Sequence, residues 1–132
     1  MGGRRLLAGG YRVWLPDHRS QDGVMFRRYL RAAQEIVGPP GTSQLLRIEI
    51  QRYATAAVVR DQAARRWAEA VERREHGKGR RPSERQVERA ARRLGLCEVT
   101  LSNVTARLEE LAATRRGASP VEALRKRMQV AQ

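Results

Sequence analysis

One long stripe of apolar residues constrains the fold of this chain more than any other feature. It runs through 42–75 at alternating steps of three and four residues, and Arg60 interrupts it near the middle. This spacing places side chains on one face of an α-helix, and a helix of such length is typical of a helical hairpin or a subunit interface. The alternative is a break near Arg60 and Asp61 that gives two ordinary helices. The stripe comprises Leu46, Ile50, Tyr53, Ala57, Ala64, Trp67 and Val71.

A shorter helix is predicted over 24–37, where apolar residues recur with the same helical spacing. The Gly-Pro-Pro-Gly sequence at 38–41 ends it, because proline cannot continue a helix and glycine favours helix ends. Thr42 or Ser43 is a good N-cap for the long helix that follows. The two helices should therefore pack as a hairpin.

The segment 86–104 fits the pattern of a helix-turn-helix motif, in which the second helix lies in the DNA major groove. Ala91 falls where two helices approach closely, and Gly95 falls where the turn needs a positive φ. Ser83 and Gln86 form a capping-box pattern at the start of the first helix. The alternative is a plain helical hairpin with a glycine cap. The positions expected to lock the two helices together are Leu94, Leu96, Leu101 and Val104.

These patterns predict an all-α fold, a long helical hairpin followed by a C-terminal helix-turn-helix-like helical pair. The expected organisation is a flexible basic N-terminal arm (1–22), a hairpin that mediates oligomerisation (23–76), a basic linker (77–82), a DNA-binding segment (83–116) and a short basic C-terminal helix (117–132).

The charge balance points to a polyanionic partner. The chain has 27 Lys and Arg against 14 Asp and Glu, a formal net charge of +13, and only Lys78 and Lys126 are lysine. Arginine pairs with phosphate or a guanine edge through two parallel hydrogen bonds. The single cysteine, Cys97, excludes an internal disulfide and fits a reducing compartment. No apolar run approaches membrane-spanning length.

The candidate DNA-binding residues lie in the basic cluster 73–93 and on the expected recognition helix. The cluster holds nine basic residues against three glutamates. Asn103 could pair with adenine, and Arg107 could reach phosphate or guanine. For each residue a solvated helix face is the alternative. The full set is Arg80, Arg81, Arg85, Arg89, Arg92, Arg93, Thr100, Ser102, Asn103 and Arg107.

Catalysis, a metal site and a cofactor are not expected. His18 and His76 lie in separate loop-like segments without metal-ligand spacing. Cys97 is expected as a small turn residue rather than a nucleophile. The sequence therefore favours a binding protein over an enzyme.

The layout resembles the small terminase subunits of tailed phages and related proteins of mobile elements. The matching parts are the hairpin of 24–37 with 42–75, the motif at 86–104, and the sequences Asp-His-Arg-Ser at 17–20 and Arg-Tyr-Leu at 28–30. In small terminases the DNA-binding motif precedes the hairpin, whereas here it follows.

The resemblance implies a non-enzymatic subunit that recognises DNA for packaging. Its partners would be double-stranded DNA, further copies of itself and a large terminase ATPase-nuclease subunit, in the cytoplasm of a bacterial host. The alternatives are a dimeric helix-turn-helix transcription regulator and a structural assembly protein that binds nucleic acid without reading its sequence.

Overall fold

Three long helices form the body of the protein in a computed structural model. The structure describes residues 3–8, 11–16, 20–41, 43–117, 124–125 and 127–129, with only the backbone described up to residue 16. The helices are α1 (Gln21–Val37), α2 (Gln44–His76) and α3 (Glu84–Arg115). The prediction of an all-α fold is confirmed. The long helix is one continuous element of 33 residues, so the alternative break near Arg60 and Asp61 is wrong.

Serine side chains start all three helices. Ser20 accepts a hydrogen bond from the Gly23 amide at 3.0 Å, and Ser43 accepts one from the Leu46 amide at 3.3 Å. Ser83 and Gln86 form the predicted capping box. The Ser83 hydroxyl accepts a hydrogen bond from the Gln86 amide at 3.2 Å, and the Gln86 side-chain oxygen accepts one from the Ser83 amide at 2.8 Å. These bonds satisfy amides that have no partner within the helix. The caps at Ser43 and Ser83 lie where the sequence predicted them, whereas α1 begins at Gln21, three residues before its predicted start.

The hydrophobic core lies where α1 and the end of α3 pack against the first half of α2. Ile50 is 2 % exposed and Leu108 is fully buried in this cluster. The predicted stripe on α2 is therefore intramolecular core over its first half and is not free to form a subunit interface there. The buried cluster comprises Ala33, Val37, Leu46, Ile50, Leu108 and Ala112.

Beyond the start of α1, α2 and α3 continue together as an antiparallel two-helix arm. Gln21, the first residue of α1, accepts a hydrogen bond from Arg65, and Arg60 lies 3.7 Å from Glu98 across the two longer helices. We call residues 63–97 the distal arm. Beyond Arg65, which contacts the start of α1, no third helix covers the arm within the described part of the chain.

The inner face of α3 repeats every seven residues. Along the helix, side chains at steps of three and four are at least half-buried, while most of their neighbours are exposed. A seven-residue repeat of this kind packs one helix along another. The repeat comprises Val87, Ala90, Leu94, Cys97, Leu101, Val104, Leu108 and Leu111.

The predicted turn at Gly95 does not exist, and the helix-turn-helix-like pair is wrong. α3 runs unbroken from Glu84 to Arg115, and Gly95 does not have the positive φ that a turn there would need. Ala91 is exposed and Leu96 is 70 % exposed, so neither packs two helices together. The reason is that a single straight helix buries the whole seven-residue repeat against α2, whereas a turn at Gly95 would divide it.

The two ends of the chain also differ from expectation. The segment expected as a flexible arm contains two antiparallel strands, β1 (Gly3–Ala8) and β2 (Tyr11–Pro16), with Gly3 opposite Pro16 and Ala8 opposite Tyr11. At the other end, where a short basic helix was expected over 117–132, residues 124–125 and 127–129 are helical, and 118–123 lie outside the described residues. Arg127 donates a hydrogen bond to the Ala106 carbonyl at 3.1 Å, which ties this end to α3.

Candidate nucleic-acid interface

Acidic and basic side chains are separated around α3. Relative to the inner face, four of the five glutamates of α3, at 84, 88, 98 and 109, fall on one flank of the helix, whereas Glu110 lies on the other flank beside Arg107. The outer face and the other flank carry most of the arginines, at 85, 89, 92, 93 and 107. Separation of this kind concentrates positive potential on one side of the arm instead of neutralising it.

The distal arm holds much of the positive charge of the protein. Its 35 residues include eleven Lys or Arg against five Glu. A net charge of this size on a narrow two-helix projection creates a strong local field for anions. The arm is therefore the part of the described structure best suited to meet a polyanion.

An open groove runs between α2 and α3 on the basic flank. Its volume is about 480 Å³. Small or apolar residues contribute to its lining, and arginines from both helices surround them. The lining consists of Ala63, Arg66, Gln86, Arg89, Ala90, Arg92, Arg93 and Leu96.

The arginines of α3 at this groove are not committed to acidic neighbours. Arg85, Arg89, Arg92 and Arg93 are exposed, and none has an ion-pair or hydrogen-bond partner among the residues that the structure describes. Arg60 and Arg65, by contrast, pair with carboxylates in the described structure. Guanidinium groups without internal partners keep all their donors available for phosphate oxygens.

The linker arginines have different surroundings. Arg81 donates hydrogen bonds to the carbonyls of Gly77 at 3.1 Å and Arg74 at 3.4 Å, so it caps the carboxyl end of α2. A cation at this position also interacts favourably with the helix dipole. Arg80 is exposed in the loop at the tip of the arm. Arg81 therefore has a structural role, and Arg80 remains available.

The residues expected on a recognition helix do not form one site. Thr100 donates its hydroxyl to the Leu96 carbonyl at 3.0 Å, and Arg107 lies 3.8 Å from Glu110. Ser102 lies on the opposite flank, in a depression that also contains Glu98 and Glu109. Asn103 is exposed on the outer face. With Arg85 and Arg107 separated by about 33 Å along the helix, these side chains cannot converge on a few bases.

A polar network at the base of the arm links all three helices. Tyr29 of α1 donates a hydrogen bond to Asp61 of α2 at 2.6 Å, and Arg60 joins Asp61 to Glu98 of α3. Burial, together with the Asp61 carboxylate, raises the pKa of Tyr29 to about 12. The tyrosine therefore stays a neutral donor at neutral pH, and the network serves to hold the helices in place.

A second contact fixes the start of α1 to α2. Asp22 accepts hydrogen bonds from Gln62 at 2.8 Å and from Arg65. Burial raises the pKa of Asp22, but these two hydrogen bonds and the charge of Arg65 outweigh it, so the pKa lies below the usual value. The distal arm consequently starts from a rigid base.

Sequence reasoning missed Arg66, which lines the groove from α2 opposite the arginines of α3. Arg66 could have been found from the antiparallel register of the two long helices, which places it near Arg92. That register follows only when α3 is treated as one helix.

Among the described residues, no three His, Cys, Asp or Glu side chains lie close enough together to hold a metal ion. None of the described helices combines the length and the apolar character needed to cross a membrane.

Comparison of the chain with protein-family models, with curated proteins and with solved structures finds no match.

Proposed function

We propose that the protein is a non-enzymatic binder of double-stranded DNA that contacts the phosphate backbone through the basic flank of the distal arm. The observation that carries this proposal is the group of exposed arginines on α3 without internal partners, on the flank away from the acidic side chains. Phosphate contacts supply most of the affinity in binding that does not depend on sequence.

The geometry favours backbone contact over base reading. The candidate side chains extend along a straight helix rather than clustering at the start of a recognition helix, where base contacts are usually made. No aromatic residue lines the groove, so base stacking of the kind used for single strands has no platform there. The structural assembly protein, which does not read sequence, is thus the better supported of the alternatives to the packaging subunit.

The packaging role, the large ATPase-nuclease partner and the homo-oligomer stay predictions from the resemblance to small terminases. The motif that carried part of that resemblance is replaced by a continuous helix, and a transcription regulator would lose the same motif. Binding to the backbone of a duplex does not need this motif.

The experiment compares two triple variants with the same loss of charge. One replaces Arg89, Arg92 and Arg93 by Ala, and the control replaces Arg28, Arg31 and Arg116, which are exposed outside the arm. Each variant lowers the net charge from +13 by three. Binding of a short labelled DNA duplex is followed by fluorescence anisotropy over a salt series.

The arm variant should bind every duplex sequence more weakly than the control variant. Each phosphate contact contributes about 0.9 to the slope of log affinity against log salt, so losing three should flatten the slope by up to about 2.7. Equal salt slopes for the two triple variants would refute the assignment of the arm. A clear preference for double-stranded RNA over DNA would refute the choice of ligand.

A further inference from the structure

Two large apolar side chains are exposed on α3 near the base of the arm, beside its arginines. Leu96 is 70 % exposed and Val99, one turn further along α3, is 59 % exposed. Contact with phosphates uses neither side chain. Burying a leucine against an apolar surface is favourable, so Leu96 offers a contact point to another protein where it adjoins the groove.

The groove beside Leu96 has the form that receives a helix. Ala63 of α2 is only 3 % exposed at the groove, so the apolar lining that a ligand can reach comes from Ala90 and Leu96 of α3. Amphipathic helices bind in grooves of this type through apolar side chains repeated every three or four residues. The arginines around the groove would then face the polar flanks of the bound helix.

Charge selects the kind of helix. Arg89, Arg92 and Arg93 line the groove, so a helix that fits it carries carboxylates beside its apolar stripe. A second copy of this chain is a poor occupant because each copy has a net charge of +13. A second copy that placed the acidic flank of its α3 in the groove would also bring the arginines of that helix close to those of the groove.

We propose that the groove of the distal arm binds an acidic amphipathic helix from a partner protein. Its apolar stripe lies on Ala90 and Leu96, and its carboxylates pair with Arg89, Arg92 and Arg93. The binding of this helix does not rest on the proposed DNA function. Its consequence for DNA does: because these three arginines are shared, the acidic helix and a duplex exclude each other, which makes the partner a negative regulator of nucleic-acid binding.

The test uses a synthetic helical peptide with Leu on one face and Glu elsewhere, and a scrambled peptide of the same composition without an apolar face. The full-length protein is titrated against each labelled peptide. Leu96→Ser is compared with Leu45→Ser, because Leu45 is 50 % exposed at the start of α2, far from the groove. Both sites are exposed, so both variants should keep the helical circular-dichroism signal of the parent.

The amphipathic peptide should bind more tightly than the scrambled one. Leu96→Ser should weaken its binding about tenfold, which corresponds to about 1.4 kcal/mol, and Leu45→Ser should leave it unchanged. Duplex affinity should be the same for both variants, which keeps this result separate from the test of DNA binding. The amphipathic peptide should also displace duplex from the parent protein if duplex binds.

Three results would overturn the proposal. Equal binding of the two peptides would mean that charge alone attracts them. Equal effects of the two Leu→Ser substitutions would place the peptide elsewhere. A lower molecular mass of Leu96→Ser in light scattering, with no such change for Leu45→Ser, would identify a second copy of the chain as the occupant.

Discussion

Replacing Gly95 by alanine distinguishes a continuous α3 from a helix-turn-helix by the sign of its effect. In the structure Gly95 has helical backbone, it is exposed, and a Cβ added to it meets no atom within 4 Å. Alanine in a helix interior is favoured over glycine by about 0.8–1.0 kcal/mol. Gly95→Ala should therefore stabilise the protein by about 1 kcal/mol, or roughly 3–5 °C in Tm for a domain of this size.

The matched control is Gly79→Ala in the loop between α2 and α3. A Cβ there also meets nothing within 4 Å, but Gly79 has a φ of 88°. An alanine in the left-handed region costs about 1–2 kcal/mol, so this variant should be destabilised although it has the same open space. Denaturant and thermal unfolding, followed by circular dichroism, give both values. A loss of stability in Gly95→Ala similar to that in Gly79→Ala would refute the continuous helix and restore the turn.

Three further predictions concern the base of the arm and the core. Tyr29→Phe should cost about 1–2 kcal/mol by removing the hydrogen bond to Asp61. Because the pKa of Tyr29 is raised from 10.0 to about 12, the parent should lose stability as the pH rises through that range, and Tyr29→Phe should lack this part of the decline in urea titrations. Asp22→Asn should remove the stability that the charged Asp22 carboxylate contributes. The parent has this stability above the usual pKa of an aspartate and loses it as the pH falls through the lowered pKa of Asp22. Identical acid unfolding curves for the parent and Asp22→Asn would contradict the pairing with Arg65. Leu108→Ala should cost about 2–5 kcal/mol, since Leu108 is fully buried, and a loss below 1 kcal/mol would contradict its central place in the core.

The first two helices were predictable because their signals agree. Apolar spacing, the Gly-Pro-Pro-Gly break and the serine cap all indicate the same boundaries, and the structure places α1 and α2 within a few residues of them. Local preferences that support one another in this way are typical of natural sequences.

The third helix shows where the sequence was ambiguous. Leu94, Leu101 and Val104 fit both a helix-turn-helix and a seven-residue repeat, and Gly95 resembles a helix end. Val87, Ala90 and Cys97 complete the repeat, while Leu96 does not belong to it. Packing against α2 decides between the two, and glycine is tolerated because it lies on the exposed face. The cost of about 1 kcal/mol at Gly95 is small beside the burial of the whole repeat.

The candidate site was predictable only in part. The arginines of α3 were identified from charge and spacing, but Arg81 caps α2, Ser102 lies on the opposite flank, and Arg66 joins the groove from another helix. Arg66 depends on the register between α2 and α3, which local sequence does not encode, whereas the contacts of Arg81 are local and the flank of Ser102 follows once α3 is one helix.

The seven-residue repeat gives the arm a modular length. Removing seven residues from α2 and the seven that face them on α3 would restore the same pairing of side chains nearer the tip. Such a deletion would shorten the projection by about 10 Å and leave the three-helix base unchanged. The number of repeats therefore sets how far the arm reaches, independently of the three-helix base.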